Sequence, residues 1–466
     1  MARIVIVGAG ISGLAAALHI EKDIPSADVT VLEAGPRIGG TIWTERADGF
    51  QVEYGPNGFL DSKPSTLELC RALQLDAELI PAAEAARHRF LWLNDRLQAL
   101  PEGFWSFLGS PLLSWRAKCA LLLERFQKPR PADLGEESVH DFVKRRTCAE
   151  IADLFADALV TGIHAGDPHL LSMAAAFPRV WAMEREHGSV TAGLKQAARQ
   201  RRREARQRGE TLQRGSRTMS LRPGLRLLVE RIAERLRKPP VVGVAVRRLQ
   251  FQSATKPAWK VEADGRENWP ADVVVLACPA HQQARILAEL DPPLADLMQQ
   301  IPYSPAVVVA LGFRQADLPR PLPGFGYIAP QGTRGDVLGS QWCSTIFPER
   351  APPGHVLLRA IAGGWHRRDI VDWDDARLLE SVRLHYRQAL GVEAGPVFHR
   401  IIRWPAAIPQ YHLGHLQRVL RIEERVRMHP GLIITGNAFH GVALNDCTEQ
   451  AALISQRVAA RLAERG

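Results

Sequence analysis

The chain of 466 residues is poor in lysine: nine against 50 arginines, and none after Lys260. Cysteine is also sparse. The six (Cys70, Cys119, Cys148, Cys278, Cys343 and Cys447) are widely spaced, with no CxxC and no Cys/His cluster at zinc-ligand spacing. That pattern excludes a disulfide scaffold and a zinc finger and fits reduced thiols in a cytosol-like compartment. Long apolar runs are missing too. The longest stretch without Asp, Glu, Lys or Arg, Met428–Asn445, carries Pro430, three Gly and two His, so it is not a membrane span. Ile4–Val7 runs straight into glycines, with no basic n-region or cleavable apolar core before it. No internal repeat is present. What remains is an ordinary globular composition, 46% apolar and 23% charged, long enough for two to three domains. A soluble or peripheral protein is expected.

The net charge of +9 suggests at first a nucleic-acid partner, but it is localised. Lys195–Lys238 holds 15 basic and 4 acidic residues, which leaves the remainder of the chain near −2. The peak at 199–217 has no interleaved stacking aromatics, so no nucleic-acid partner is expected. A solvated insert, attraction to anionic lipid and steering of an acidic substrate stay open.

The strongest motif is at the start. Ala2–Val7 reads as a fully buried strand, followed by Gly8-Ala9-Gly10-Ile11-Ser12-Gly13 and a helix-forming run, Leu14–Ile20. A second strand, Val29–Leu32, ends at Glu33, twenty residues past Gly13. Gly8 suits a tight turn, Gly10 a close backbone approach to a pyrophosphate, and Gly13 close helix–strand packing. The helix N-terminus offers N–H groups to phosphates, and Glu33 can accept from ribose hydroxyls. This is a dinucleotide site with its strand, helix and acid in register. Near the other end, Gly431–Thr435 reads as a strand broken by Gly436-Asn437. Asn445-Asp446 are placed to cap a final helix running through Leu462.

Glu33-Ala34-Gly35-Pro36-Arg37-Ile38-Gly39-Gly40 resembles the continuation seen in FAD enzymes of the flavin amine oxidase superfamily. There the Arg and the Gly-Gly lie against the pyrophosphate. Four further segments narrow the resemblance to the oxygen-dependent protoporphyrinogen oxidases. They are Gly55-Pro56-Asn57-Gly58-Phe59-Leu60-Asp61 with Ser65–Leu75, Arg89-Phe90-Leu91-Trp92, Gly162-Ile163-His164-Ala165-Gly166-Asp167-Pro168, and Gly441-Val442-Ala443-Leu444-Asn445-Asp446-Cys447. The resemblance implies oxidation of a porphyrinogen to a porphyrin in two-electron steps, with FAD as cofactor and oxygen as final acceptor, giving hydrogen peroxide. The motifs do not separate protoporphyrinogen IX, the leading substrate, from coproporphyrinogen III. They imply no catalytic residue beyond FAD. Cofactor contacts carry over to Gly8–Gly13, Glu33, Ala34, Arg37, Gly39, Gly40, Thr41, Trp43, Gly55–Gly58, Val241, Asn437, Val442, Ala443 and Leu444. Substrate contacts carry over to Arg89, Asn57 and Gly162. An apolar wall is expected within 301–361, with Phe325, Tyr327, Trp342 and Phe347 available. Amine and polyamine oxidases often place a Lys near the flavin from their substrate domain; the lysine-free stretch after Lys260 disfavours that reading.

The expected architecture is α/β plus α+β. A Rossmann-type FAD-binding domain is assembled from 1–80, 215–290 and 425–466. A helical insert covers 90–214 and a mixed-sheet substrate domain 291–424. Phe104–Leu123 sets Phe104, Trp105, Phe107, Leu108, Leu112, Leu113 and Trp115 near Arg116 and Lys118, a composition suited to a headgroup boundary. The expected location is cytoplasmic, with peripheral contact at the inner face of the cell membrane through this segment and 199–217. The resemblance adds hand-over of product to a ferrochelatase and a homodimer.

Overall fold

The structure is a computed structural model. It describes residues 1–466 except 132–133, 209–215, 253–257, 267 and 464–466, and except the side chains of residues 104, 204, 205, 208 and 266. The expected basic segment 199–217 therefore lies partly outside the described residues. Arg199, Arg201, Arg202, Arg203 and Arg206 sit exposed on the helix Val190–Arg208.

One sheet is wholly parallel and runs in the order Val241–Val242, Asp28–Glu33, Arg3–Val7, Val273–Leu276, Leu432–Ile434. Its three central strands are short apolar runs because both faces are covered. On one face lie the helices Ile11–Asp23, Arg226–Arg235 and Leu444–Ala463, which bury Leu14, Ala17, Leu228, Ile232, Ile454 and Val458 against it. A three-stranded meander (Val246–Phe251, Trp259–Ala263, Asn268–Ala271) and the helices Ala280–Leu287, Pro292–Gln299 and His415–Arg427 share the core of the other face. The last two helices fall inside 291–424, the stretch expected to form the substrate domain. Leu294, Met298, Val419 and Ile422 find their apolar partners on the parallel sheet instead.

The second large sheet has seven strands in the order Phe398–Pro409, Tyr303–Arg314, His355–Gly363, Val337–Trp342, Gly326–Ile328, Arg89–Leu93, Arg96–Ala99. Tyr303–Arg314 lies between two long antiparallel neighbours, and all but its last residue is buried. Helix Asp375–Leu390 covers this sheet through Leu378, Val382, Tyr386 and Leu390. Residues 90–99 were expected within the helical insert 90–214; with Arg89 they form the sheet's outer hairpin instead. Asn94 and Asp95 carry φ of 51° and 54°, the left-handed pair that a two-residue hairpin turn requires.

Among the described residues, no helix is long and apolar enough to cross a membrane. The segment Phe104–Leu123 forms two short helices, Phe104–Gly109 and Trp115–Leu122, and it splits by burial. Leu112, Leu113 and Ala117 are core, whereas Trp105, Trp115, Leu122 and Leu123 are exposed. Lys118 does not serve as a surface cation: its ammonium is buried and donates to the carbonyls of Leu108 and Ser110, both at 2.7 Å.

A buried ion pair lies at the end of the hairpin formed by Thr44–Ala47 and Phe50–Glu53. Glu53, on the strand Phe50–Glu53, accepts from the Leu225 N–H at 3.0 Å and the Thr44 hydroxyl at 2.8 Å, and faces the Arg350 guanidinium at 3.4 Å. Arg350 also donates to the Ser220 hydroxyl. Both side chains are about 1% exposed. Arg350→Ala leaves the Glu53 carboxylate buried without its partner and should cost about 3–5 kcal/mol of unfolding free energy. Denaturant titration of the variant against the wild type measures this.

Candidate functional site

The cradle forms where the strand Arg3–Val7 turns into the helix Ile11–Asp23. Gly8 makes the turn at φ 110°, and a Cβ there would sit 3.0 Å from the Cys278 nitrogen. A Cβ on Gly13 would overlap the Gly8 carbonyl oxygen. Gly10 is different: nothing lies within 4 Å of where its Cβ would be. The space before the helix is open, no side chain caps it and no acid lies in its first turn. Its unpaired N–H groups can therefore receive a phosphate.

Glu33 ends the second strand, with one carboxylate oxygen accepting from the Ala9 N–H and the other from the Gly35 N–H, each at 2.8 Å. Both oxygens keep a lone pair for hydroxyl donors. The edge strand Val241–Val242 pairs with Leu32 and Glu33, so its exposed backbone borders the same spot, beside Ala34. The Gly39 N–H donates to the Ala9 carbonyl, and Gly40 packs against Gly10. The Arg37 guanidinium donates to the carbonyls of Ile38 and Gly40 and stacks on Trp43 at 4.6 Å. Arg226 also stacks on that indole, at 3.9 Å. Desolvation holds Arg37 below the usual guanidinium range, and Glu33 opposes the shift.

The loop Gly55–Gly58 leaves the cradle toward the mixed sheet. Gly55 sits against the Thr41 carbonyl and Gly58 against that of Met219. Asn57 is buried and its Nδ2 has no partner among the described residues. From the far side, the Gly55 carbonyl accepts from Arg359 at 2.6 Å and the Tyr54 carbonyl from the Trp404 indole N–H at 2.9 Å. The sequence reading missed both donors; its available signal for Arg359 was a lone charge within the apolar run His355–Gly363.

The C-terminal segment returns beside this loop. The Tyr411 hydroxyl donates to the Asn437 carbonyl and accepts from the Gly441 N–H, fixing the connector that leads to Val442 and Ala443. The final helix begins at Leu444, so Asn445 and Asp446 lie within its first turn instead of before it. Asp446 reaches back to the Ala443 N–H at 3.0 Å and also binds Lys63. Asn445 turns inward to the Leu60 carbonyl. The open space at Gly10, the orphaned Asn57 amide and the uncapped helix start together suit a flavin dinucleotide.

On the mixed sheet, Arg89 pairs in register with Gly326, and Leu91 with Ile328. A Cβ on Gly162 would lie 2.7 Å from the Ile328 side chain. Arg89 and Gly162 thus meet the same three-residue strand. Arg89 is exposed, lies over the Phe325 ring at 5.0 Å, and has no carboxylate within 4.0 Å among the described residues. Of the other aromatics available for a wall, Tyr327, Trp342 and Phe347 are core, at 1–3% exposure. The helix Asp157–His164, which carries Gly162, ends at Ala165 with φ 47°. Burial pushes the His164 imidazole down to about 4, and neither ring nitrogen has a partner.

Comparison with known proteins now decides the family. A family model for flavin-containing amine oxidoreductases matches residues 11–459. The chain belongs to that family. Coproporphyrinogen III oxidase of Bacillus subtilis is 29% identical over 96% of both chains. The chloroplastic protoporphyrinogen oxidase 1 of Arabidopsis thaliana is 30% identical over 96% of this chain and 86% of its own. Human protoporphyrinogen oxidase is 31% identical over 96% of both. Among solved structures, a candidate protoporphyrinogen oxidase from Exiguobacterium sp. 255-15 superposes with TM-score 0.82 at 24% identity over 99% of both chains. Reduced UDP-galactopyranose mutase reaches 0.72 at 16% identity, covering 99% of this chain and 96% of its own. These two show the fold alone. The family establishes an FAD-dependent oxidoreductase.

Two outcomes follow from the cradle and its neighbour. Gly13→Ala should fail to fold stably, while Gly10→Ala should keep the melting temperature of the apoprotein and lose at least about tenfold in FAD affinity, ~1.4 kcal/mol, read by fluorescence titration. His164 binds a proton only in the unfolded chain between about pH 4 and 6.5. Stability should therefore fall as pH drops through that window. His164→Phe should remove about 1.4 kcal/mol per pH unit of the slope, measured by denaturant titration at several pH values.

Proposed function

We propose that this enzyme oxidises a porphyrinogen to the corresponding porphyrin, with oxygen as final acceptor and hydrogen peroxide as product. Protoporphyrinogen IX is the leading substrate. The observation that carries the reading is Arg89: an exposed guanidinium with no carboxylate partner among the described residues, seated on Phe325 and on the strand paired with the one that carries Ile328, the neighbour of Gly162. A large apolar macrocycle with carboxylates at its rim needs that combination of cation, aromatic face and side-chain-free backbone. The relatives' names agree with it.

Bound FAD supplies the two-electron acceptor. In this reading the Gly8–Gly13 turn holds the pyrophosphate with Arg37, Gly39 and Gly40, Glu33 accepts from the ribose, and the Val241 backbone meets the adenine. Gly55–Gly58 and the connector from Asn437 to Leu444 border the ring system. Arg89 orients a propionate, and Gly162 lets the macrocycle pass close to the helix.

One observation favours coproporphyrinogen III as the second reading. Arg334 is half-buried, donates to the Thr161 hydroxyl at 2.7 Å beside Gly162, and has no carboxylate within 4.0 Å among the described residues. It offers a second cation to a substrate with two more propionates. Peripheral membrane contact is proposed at the exposed Trp105, Trp115, Leu122, Leu123 and Phe126, beside Arg116 and Arg125. Cytoplasmic location, hand-over to a ferrochelatase and a homodimer complete the reading.

Anaerobic mixing of the flavoenzyme with each porphyrinogen should bleach the flavin absorption and raise porphyrin fluorescence. If neither substrate bleaches it, the reading is wrong. Arg89→Met should raise KM roughly ten- to hundredfold, the loss of one charge-assisted hydrogen bond, with a smaller change in kcat.

A further inference from the structure

The strand His355–Gly363 carries one charged side chain at its centre. Arg359 is 4% exposed and lies between Ala310 and Gln341 in register. Its guanidinium donates to the Gln341 side-chain oxygen at 2.9 Å and to the Gly55 carbonyl at 2.6 Å. Both acceptors are neutral. The Arg359 Nε is buried and has no partner, and no carboxylate lies within 4.0 Å among the described residues.

The groups facing it are Glu53, Cys343 and Tyr386, with Arg350 beside Glu53 and Cys343. Burial pushes the Cys343 thiol up to about 11 and the Tyr386 phenol up as well, so both are neutral near pH 7. Glu53 is already paired with Arg350. The cluster holds at least one positive charge in excess, whatever the protonation of Glu53. Desolvation correspondingly lowers the Arg359 pKa. Two residues beyond Gly55, Asn57 adds a second buried donor without an acceptor. Uncompensated buried charge is costly unless an opposite charge binds or forms beside it.

Two-electron reduction delivers a hydride, so a flavin ring gains one negative charge unless it takes up a further proton. We propose that Arg359 is a positioning residue that holds Gly55 and supplies positive potential to the reduced flavin from the mixed-sheet side, raising its midpoint potential. This rests on the reading that Gly55–Gly58 border the ring system.

The test uses the FAD-loaded enzyme without porphyrinogen, reduced by dithionite beside a reference dye. Arg359→Gln should lower the equilibrium constant for two-electron reduction at least tenfold, about 30 mV for this electron count. Arg359→Lys should restore most of the difference. In the wild type, the reduced flavin should stay anionic to a lower pH than free reduced FAD in the same buffer, followed by absorbance. An unchanged potential in Arg359→Gln overturns the proposal. So does a wild-type reduced flavin that protonates like free FAD, a measurement that stands even if the variants lose FAD. Failure of the porphyrinogen reading would look different: no bleaching by substrate, with the dye-referenced shift intact.

Discussion

The approach of one helix to one strand governs this molecule. Helix Ile11–Asp23 packs so closely on the turn after Arg3–Val7 that a single methyl group at Gly13 would overlap the Gly8 carbonyl. That contact aims the helix start at open space instead of at the sheet. It also fixes the position of Glu33 through the Ala9 N–H, and of Gly39 through the Ala9 carbonyl. The first residues of the chain thereby set the frame against which the Gly55 loop and the final helix are placed.

Much of that frame was legible because it depends on local rules. The Gly8–Gly13 spacing, the buried strands and Glu33 at the second strand's end each require particular residue types within a few positions of one another. Arg89 and Gly162 were legible only through resemblance, since Arg89 meets Gly326 by strand pairing and Gly162 meets Ile328 by helix–sheet packing, both between segments far apart in the chain. The hairpin 89–99 was not read as strands, although the pair Asn94-Asp95 is of the kind that tolerates the left-handed conformation its turn adopts. The helices Pro292–Gln299 and His415–Arg427 were assigned by chain order, but an apolar face does not reveal which sheet it will cover. Lys118 looked like a surface cation because sequence does not show the carbonyls of Leu108 and Ser110 closing over it.

The charges divide along the same line. Arg37, Arg89 and the 199–217 peak stand out in the sequence by motif or density. Arg350 and Arg359 do not, yet both are buried, one paired with Glu53 and the other bonded only to neutral oxygens. Their roles follow from what desolvation demands of a guanidinium, and burial is visible only after folding.

The parallel sheet has a temporal consequence. Its strand order takes segments from near residues 3, 28, 241, 273 and 432, so the strand near residue 432 lies at one edge and the helix Leu444–Ala463 packs against the helix Ile11–Asp23. During synthesis more than 400 residues emerge before the dinucleotide cradle acquires its closing wall. The mixed sheet can form earlier, since its last strand ends at Pro409. A nascent chain therefore carries an unsealed apolar face on this sheet until residues 432–463 have been made.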